Sequence, residues 1–206
     1  MRSPRPVTRK KRASRLRQAT RRAQLLQCAI RVFARRGLGA ARHAEIAKEA
    51  GVSVPAVFFY FPSREELVSA VLEEIERFLM EMAERIHASD RPAPEILLEH
   101  ARAFAESVET HPDYARVWLD WSTSIREEIW QRYLDFQERM VAIITATIRR
   151  WQSERGVARD DDAEDDARLM VGSAHMVALM KFHRVPAPKL DHFLQTLVSA
   201  ALGSRI

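Results

Sequence analysis

One cysteine stands among 206 residues, so Cys28 cannot close an internal disulfide, and the chain is expected in a reducing, cytoplasmic setting. Glycine is scarce, six in all. Long stretches of Leu, Ala, Glu and Arg instead favour helix. No stretch reaches the roughly 18 consecutive apolar residues of a membrane span. The basic start is followed by no apolar segment of a secretory signal, and no membrane partner is expected. Catalytic patterns are equally thin. His43-Ala44-Glu45 echoes the H-x-E of zinc deaminases, but no P-C-x-x-C exists to complete it. Gly37-Leu38-Gly39 lacks the third glycine and the preceding strand of a dinucleotide loop. No H-E-x-x-H is present, and the seven histidines are scattered. No catalytic set, metal site or cofactor is therefore expected, and the chain does not read as an enzyme.

What the chain has is charge of one sign at one end. Residues 1–44 carry 14 Arg or Lys and no acid, whereas the remainder carries 19 bases against 28 acids. A basic head on an acidic body is an electrostatic footprint for a polyanion, of which nucleic acid is the usual one. Nearly half the residues are apolar, 47%, enough for a sizeable core.

Residues 1–17 are poor in apolar side chains and read as a flexible basic arm. Helical periodicity then begins: Leu26, Ile30 and Phe33 share a face, and Gly37 and Gly39 end that helix. A short helix over about 42–50 buries Ile46 and Ala47. Gly51-Val52 turns the chain, and Ser53 can cap another short helix to about Tyr60. Pro62 breaks it, and Ser63 to Glu66 is a capping box. The long helix that follows keeps Leu67, Val71, Ile75, Phe78, Leu79, Met82 and Ile86 on one stripe. Further helices are expected to about Thr110, through Trp118 and Trp121, over about 125–155, to about His183, and over about 190–202. No strand is expected. Three segments result: an arm over 1–17, a small unit over 18–66 and a larger helical one over 67–206.

The segment from Ala41 to Leu67 has the layout of a helix-turn-helix. Ala47 is small enough for two helices to cross closely, and Gly51 supplies the backbone freedom of the turn. Val57 and Ile46 anchor the pair, which leaves the outer face of the second helix free to enter a major groove. Ser53, Val54, Ala56 and Phe59 are its candidates to face bases. Their apolar character favours thymine-methyl contact and shape readout. For Phe59, packing against the first helix is the open alternative. Pro55 disfavours helical geometry at Val54, which would start this helix one residue late.

The residues Gly51-Val52-Ser53 and Phe59-Tyr60-Phe61-Pro62-Ser63-Arg64-Glu65-Glu66-Leu67, with Ala29 to Gly37 upstream, resemble the signature of the TetR family of transcription factors. The resemblance is tight over about Leu25 to Leu72. FARRGLGAARHAEIA, VSVPAVFFYFPSREEL and VWLDWSTSIREEIW narrow it to LuxR/HapR-type master regulators of quorum sensing. This implies an all-α, nine-helix architecture with a DNA-binding head and a C-terminal domain for effector binding and dimerisation. It also implies arm arginines in the minor groove. Arg15 matches one such position, and the other falls on Ala13, with Arg12 or Arg17 beside it. Tyr60 matches a phosphate-contacting position, with Arg42 and Arg64 as companions. The subgroup shows a polar residue where this chain has Phe59, and it lacks Pro55.

In the larger unit, Leu79, Met82, Phe104, Trp118, Trp121, Gln137, Met140, Val141 and Ala174 fall on helices that should converge. The resemblance makes them the lining of a pocket for a small apolar or amphipathic effector; plain core packing is the alternative. His175 is a core or interface histidine in this reading. On the last two helices Met170, Ser173 and Val177 are set opposite Phe193, Leu194, Leu197 and Ala201. They are candidates for a four-helix bundle with a second chain, since a reader of palindromic DNA needs two-fold symmetry, and packing of both helices on their own core is the alternative. The expected function is a homodimeric regulator on double-stranded operators. A helical small-molecule-binding protein or enzyme with an incidental basic arm competes with it, as does a module for RNA or membrane surfaces.

Overall fold

The computed structural model describes residues 7–125, 129–156 and 162–203, with side chains from Gln18 onward except that of Asp162. The described residues form α-helices and no strand: α1 (Val7–Arg36), α2 (His43–Ala50), α3 (Val54–Tyr60), α4 (Arg64–His87), α5 (Ala93–Thr110), α6 (Pro112–Thr123), α7 (Ile129–Glu154), α8 (Asp162–Phe182) and α9 (Ala187–Ala201). None is long and apolar enough to cross a membrane. Two compact units divide the chain after Leu72, inside α4.

In the first unit the periodic apolar face of α1 becomes a core. Leu25, Ala29, Ile30, Val32 and Phe33 are buried with Ile46, Ala47, Val57, Phe61 and Leu67. α1 is longer than the sequence pattern suggests, starting at Val7 where helix was expected from about residue 18. Arg, Lys, Ala, Gln and Leu dominate its first turns, and these lose little rotamer freedom in a helix. Helix propensity there does not depend on an apolar period. Gly37, at φ 82°, closes α1, and Gly51, at φ 64°, closes α2. At the second closure the Val52 N–H donates to the Ala47 carbonyl at 3.0 Å, a Schellman pattern that a left-handed glycine permits.

Pro55 does not delay α3, which starts at Val54 with proline in its first turn. There the missing N–H would have had no intrahelical partner in any case. Half of the expected capping box forms, with the Glu66 N–H donating to Ser63 Oγ at 3.1 Å. Arg31 and Arg35 pair with Glu49, and Arg36 with Glu45. These α1–α2 bridges are partly exposed, so their weight is in orientation more than stability.

In the second unit α7 packs on α8, α8 on α9, and α5 on both α8 and α9. Ala105, Val177, Leu190 and Leu194 form a core cluster, with Leu98, Phe104, Met180 and Phe193 against it. Of the side chains expected to meet a second chain, Met170, Val177, Leu194, Leu197 and Ala201 are buried inside this one. The stripe that α8 leaves outward is one residue out of register, and carries Leu169, Met176 and Leu179 at 49%, 50% and 46% exposure. Of the two readings of these residues, packing on their own core is the one seen within the protomer, with Val177 and Leu194 against Ala105 of α5.

Candidate functional site

The first site is the outer face of α3. Val57 is its buried anchor, while Val54, Phe58 and Phe59 are exposed, Phe59 at 69%. At that exposure most of the Phe59 ring is open to solvent. Ser53 is exposed too, at the N-cap position and without a side-chain capping bond, while Ala56 and Tyr60 are half-buried. Phe59 and Tyr60 meet edge to face at 5.0 Å. Gln18, Ala19 and Arg22 of α1 border the same two rings across an open groove of about 360 Å³. This brings Arg22 and Gln18 to the α3 face, and neither was singled out from the sequence. Arg22 also lies over the Phe61 ring, 4.9 Å from its centroid, holding a cation beside α3. Arg42 is exposed at the start of α2. Arg64 is already engaged, donating to the Leu38 carbonyl at 2.5 Å, and so ties α4 to the loop after α1. The side chains of Arg12 and Arg15 lie outside the described residues.

A second feature has no counterpart among the sequence expectations. His43, which there only echoed a catalytic motif, is buried. Its Nε2–H donates to the Phe61 carbonyl at 2.8 Å. Its ring stacks on Phe58 at 4.1 Å with 4° between planes. One imidazole thus ties the start of α2 to the end of α3, and it fixes α3 without touching what α3 would touch. Sequence pattern offers no signal for this, because His43 and Phe61 are 18 residues apart.

The second site is a cavity in the other unit, about 70 Å³ in volume. Seven of the nine expected residues line it: Leu79, Met82, Phe104, Trp118, Gln137, Met140 and Ala174. Trp121 does not. It is fully buried, its Nε1–H donates to the Ile129 carbonyl at 3.0 Å, and its ring lies near Tyr133 and Phe136 as plain core. Val141 faces a separate groove between α7 and α8, with Thr145, Arg149 and Arg168. Met170, Val177 and Leu197, expected at the dimer contact, line the cavity instead, as do His100, Phe136 and Ile144.

Polar atoms around the cavity are few and mostly engaged. Gln137 Nε2 donates to Tyr133 Oη at 2.6 Å. His87 Nε2 and His100 Nδ1 are 3.0 Å apart, and His87 Nδ1 is 2.7 Å from Thr147 Oγ1. Burial pushes His100 down to about 3, with the His87 charge adding to it. Burial, then the Arg150 charge, pushes His87 down to about 4. Both rings are neutral near pH 7. His175 does not line the cavity. It hydrogen-bonds Ser122 at 2.9 Å, lies 4.4 Å from the Trp118 ring, and burial lowers its pKa. Trp118 itself is buried, and its indole N–H has no protein acceptor. Among the described residues no three His, Cys or acidic side chains gather as metal ligands would.

Residues 25–71 match the model of bacterial regulatory proteins of the TetR family. Over 190 residues the chain is 34% identical to the HTH-type transcriptional regulator LuxR of Vibrio harveyi, covering 92% of this chain and 90% of that protein. The chain belongs to the TetR family. It is therefore a helix-turn-helix transcriptional regulator by descent, and the family model runs from within α1 through α2 and α3 into α4. The HTH-type transcriptional activator FasR of Mycolicibacterium smegmatis is 46% identical over 69 residues, 34% of this chain and 32% of that one. Solved structures carry the same fold at lower identity. A TetR-like regulator from a Rhodococcus species superposes with a TM-score of 0.75 at 20% identity, covering 99% of this chain and 100% of that one. The regulator FadR of Bacillus subtilis, solved with stearoyl-CoA, gives 0.72 at 18% identity over 89% of this chain and 99% of that one.

Proposed function

We propose that this TetR-family regulator binds palindromic operators in a sequence-specific manner as a homodimer, and that a small molecule in the interior cavity modulates that binding. The observation that carries the reading is the outer face of α3. Phe59 and Val54 stand exposed on it, and the helix is held by Val57, the His43–Phe61 bond, the His43–Phe58 stack and the glycine turn. Exposed apolar groups on a short pre-oriented helix suit the methyl-rich floor of a major groove. Arg22, Arg42 and Tyr60, with Arg12 and Arg15 from the N-terminal segment, supply backbone and minor-groove contacts around it. The symmetry of a palindrome comes from the outward stripe of α8, Leu169, Ser173, Met176 and Leu179, pairing with its copy about a two-fold axis. This replaces Met170, Val177, Leu194, Leu197 and Ala201 as the pairing surface, because those are buried within the protomer.

The test is selection of bound duplexes from a random pool, followed by a salt series on the winner and on a scrambled duplex. An inverted repeat with half-sites about 10 base pairs apart, or a multiple, is the expected outcome. Binding that depends on salt alone and ignores sequence would instead mark a general polyanion binder and overturn the reading.

A further inference from the structure

We propose that the basic N-terminal segment meets DNA as a helix, and that one face of the α1 extension, at the register of Lys11, Arg15, Gln18 and Arg22, lies along the phosphate backbone beside α3. The inference rests on the operator-binding reading above and alters it in one respect, giving the segment to phosphates in place of the minor groove. α1 is helical from Val7. Residues 18–24 are all exposed, and Leu25 is the first side chain of the helix described as buried. At 1.5 Å per residue, about 27 Å of helix thus precede the core of the head.

Width decides between groove and backbone. A helix with its side chains is about 10–12 Å across, whereas the minor groove is about 6 Å wide. A segment that stays helical does not lie in that groove as an extended arm does. The major groove, about 12 Å wide, is the place of α3. What is left for the extension is the phosphate ridge between the two.

Register picks the face. Gln18 and Arg22, one turn apart, border Phe59 and Tyr60 across the open groove between α1 and α3. The helical period carries that face back to positions 15 and 11, which are Arg15 and Lys11. Positions 10 and 17, Lys10 and Arg17, fall on a different side of the helix. Charge names the occupant. Residues 7–22 hold eight bases and no acid, so like charges three and four residues apart oppose the helix. A polyanion laid along it relieves that repulsion while the bases displace its counterions. DNA therefore covers this face and firms the helix together.

The experiment compares two double variants of the full chain, Lys11→Gln with Arg15→Gln and Lys10→Gln with Arg17→Gln, which remove equal charge from different sides of the helix. Salt series are run on the selected operator and on a scrambled duplex. The first variant is expected to flatten the slope of log affinity against log salt by about 1.8 on both duplexes, at about 0.9 for each phosphate, and the second by less than half as much. Ser14→Pro, which breaks the helix between Lys11 and Arg15, should weaken binding about tenfold relative to Ser14→Ala, the loss of about one phosphate contact over a tenfold range of salt. In the operator complex of the unsubstituted protein, the Cα resonances of residues 9–17 should stand downfield, where helix places them. Equal slope changes for the two double variants, Ser14→Pro binding as tightly as Ser14→Ala, or extended-chain Cα shifts in the complex overturns the inference. Where a variant does not fold, the Cα shifts of the unsubstituted protein decide. The scrambled duplex separates the two claims. A face-dependent slope without sequence preference keeps the helical contact and removes the operator reading. Sequence preference with equal slopes does the reverse.

Discussion

Phe59 is exposed and His43 is buried, so substitutions at the two should have opposite effects. Phe59 is 69% exposed, so its removal should cost the fold little. Phe59→Ala is expected to keep its unfolding midpoint yet bind operator about tenfold more weakly and less selectively, since one base contact is worth ~1–3 kcal/mol. His43→Ala should behave oppositely. Removing the donor to the Phe61 carbonyl leaves a buried group unpaired, a loss of ~1–3 kcal/mol measurable by urea unfolding of the head. The His87–His100 pair gives a pH dependence of the other unit. Both folded pKa values lie below the ordinary 6.5, at about 4 and about 3. The unfolded chain therefore binds more protons than the folded one, and stability falls as pH drops below 6.5 towards those values. Acidifying from pH 7 to 5 should cost about 2 kcal/mol for each ring. Denaturant midpoints that do not move over that range would show that the rings are not held neutral. Replacing both rings by Asn should flatten the dependence.

At the scale of elements, helix ends give a matched pair of expectations. Gly51 closes α2 at φ 64°, whereas Arg184 stands at φ 54° after α8. Gly51→Ala should lower stability by about 1 kcal/mol, and Arg184→Gly should raise it by a similar amount, because only glycine adopts this region without a Cβ clash. Thermal unfolding of each variant measures both. The α8 stripe is tested by Met176→Asp with Leu179→Asp. Sizing should then report monomers, with operator binding weakened in step. Monomers before any substitution would remove the symmetric model. Much of this was legible in the sequence. The glycine closures, the Ser63 cap and the order of helices follow from local chemistry, which short windows contain. The inward and outward sides of α8 were not legible. Met170 and Leu169, or Val177 and Met176, are neighbours of like hydropathy, and only the position of α5 decides which of each pair is buried. The cavity lining came through except for Trp121 and Val141, whose helices converge as expected but whose rotation about the helix axis depends on packing across the unit. His43 escaped because its partner is remote in sequence and is a backbone carbonyl.

Over the whole molecule, charge is concentrated in the N-terminal 44 residues, where 14 bases meet no acid. Deleting residues 1–17 should lower operator affinity and flatten the slope of log affinity against log salt by about 0.9 for each phosphate that is no longer neutralised. An unchanged slope would leave that segment without a role in binding. The distribution of two rarer residue types has a different consequence. The single cysteine, Cys28, is buried in the first unit, while all four tryptophans, 118, 121, 130 and 151, lie in the second. Each unit thus carries its own intrinsic reporter. The rate at which an aromatic disulfide reagent modifies Cys28 counts openings of the head, and indole emission follows the other half of the chain. Operator duplex at a hundredfold excess over its dissociation constant should slow the thiol reaction by about a hundredfold. An occupant of the cavity should register first in the emission. The order in which the two signals respond to one ligand would then time the passage of information along α4, without a dye, a tag or a substitution.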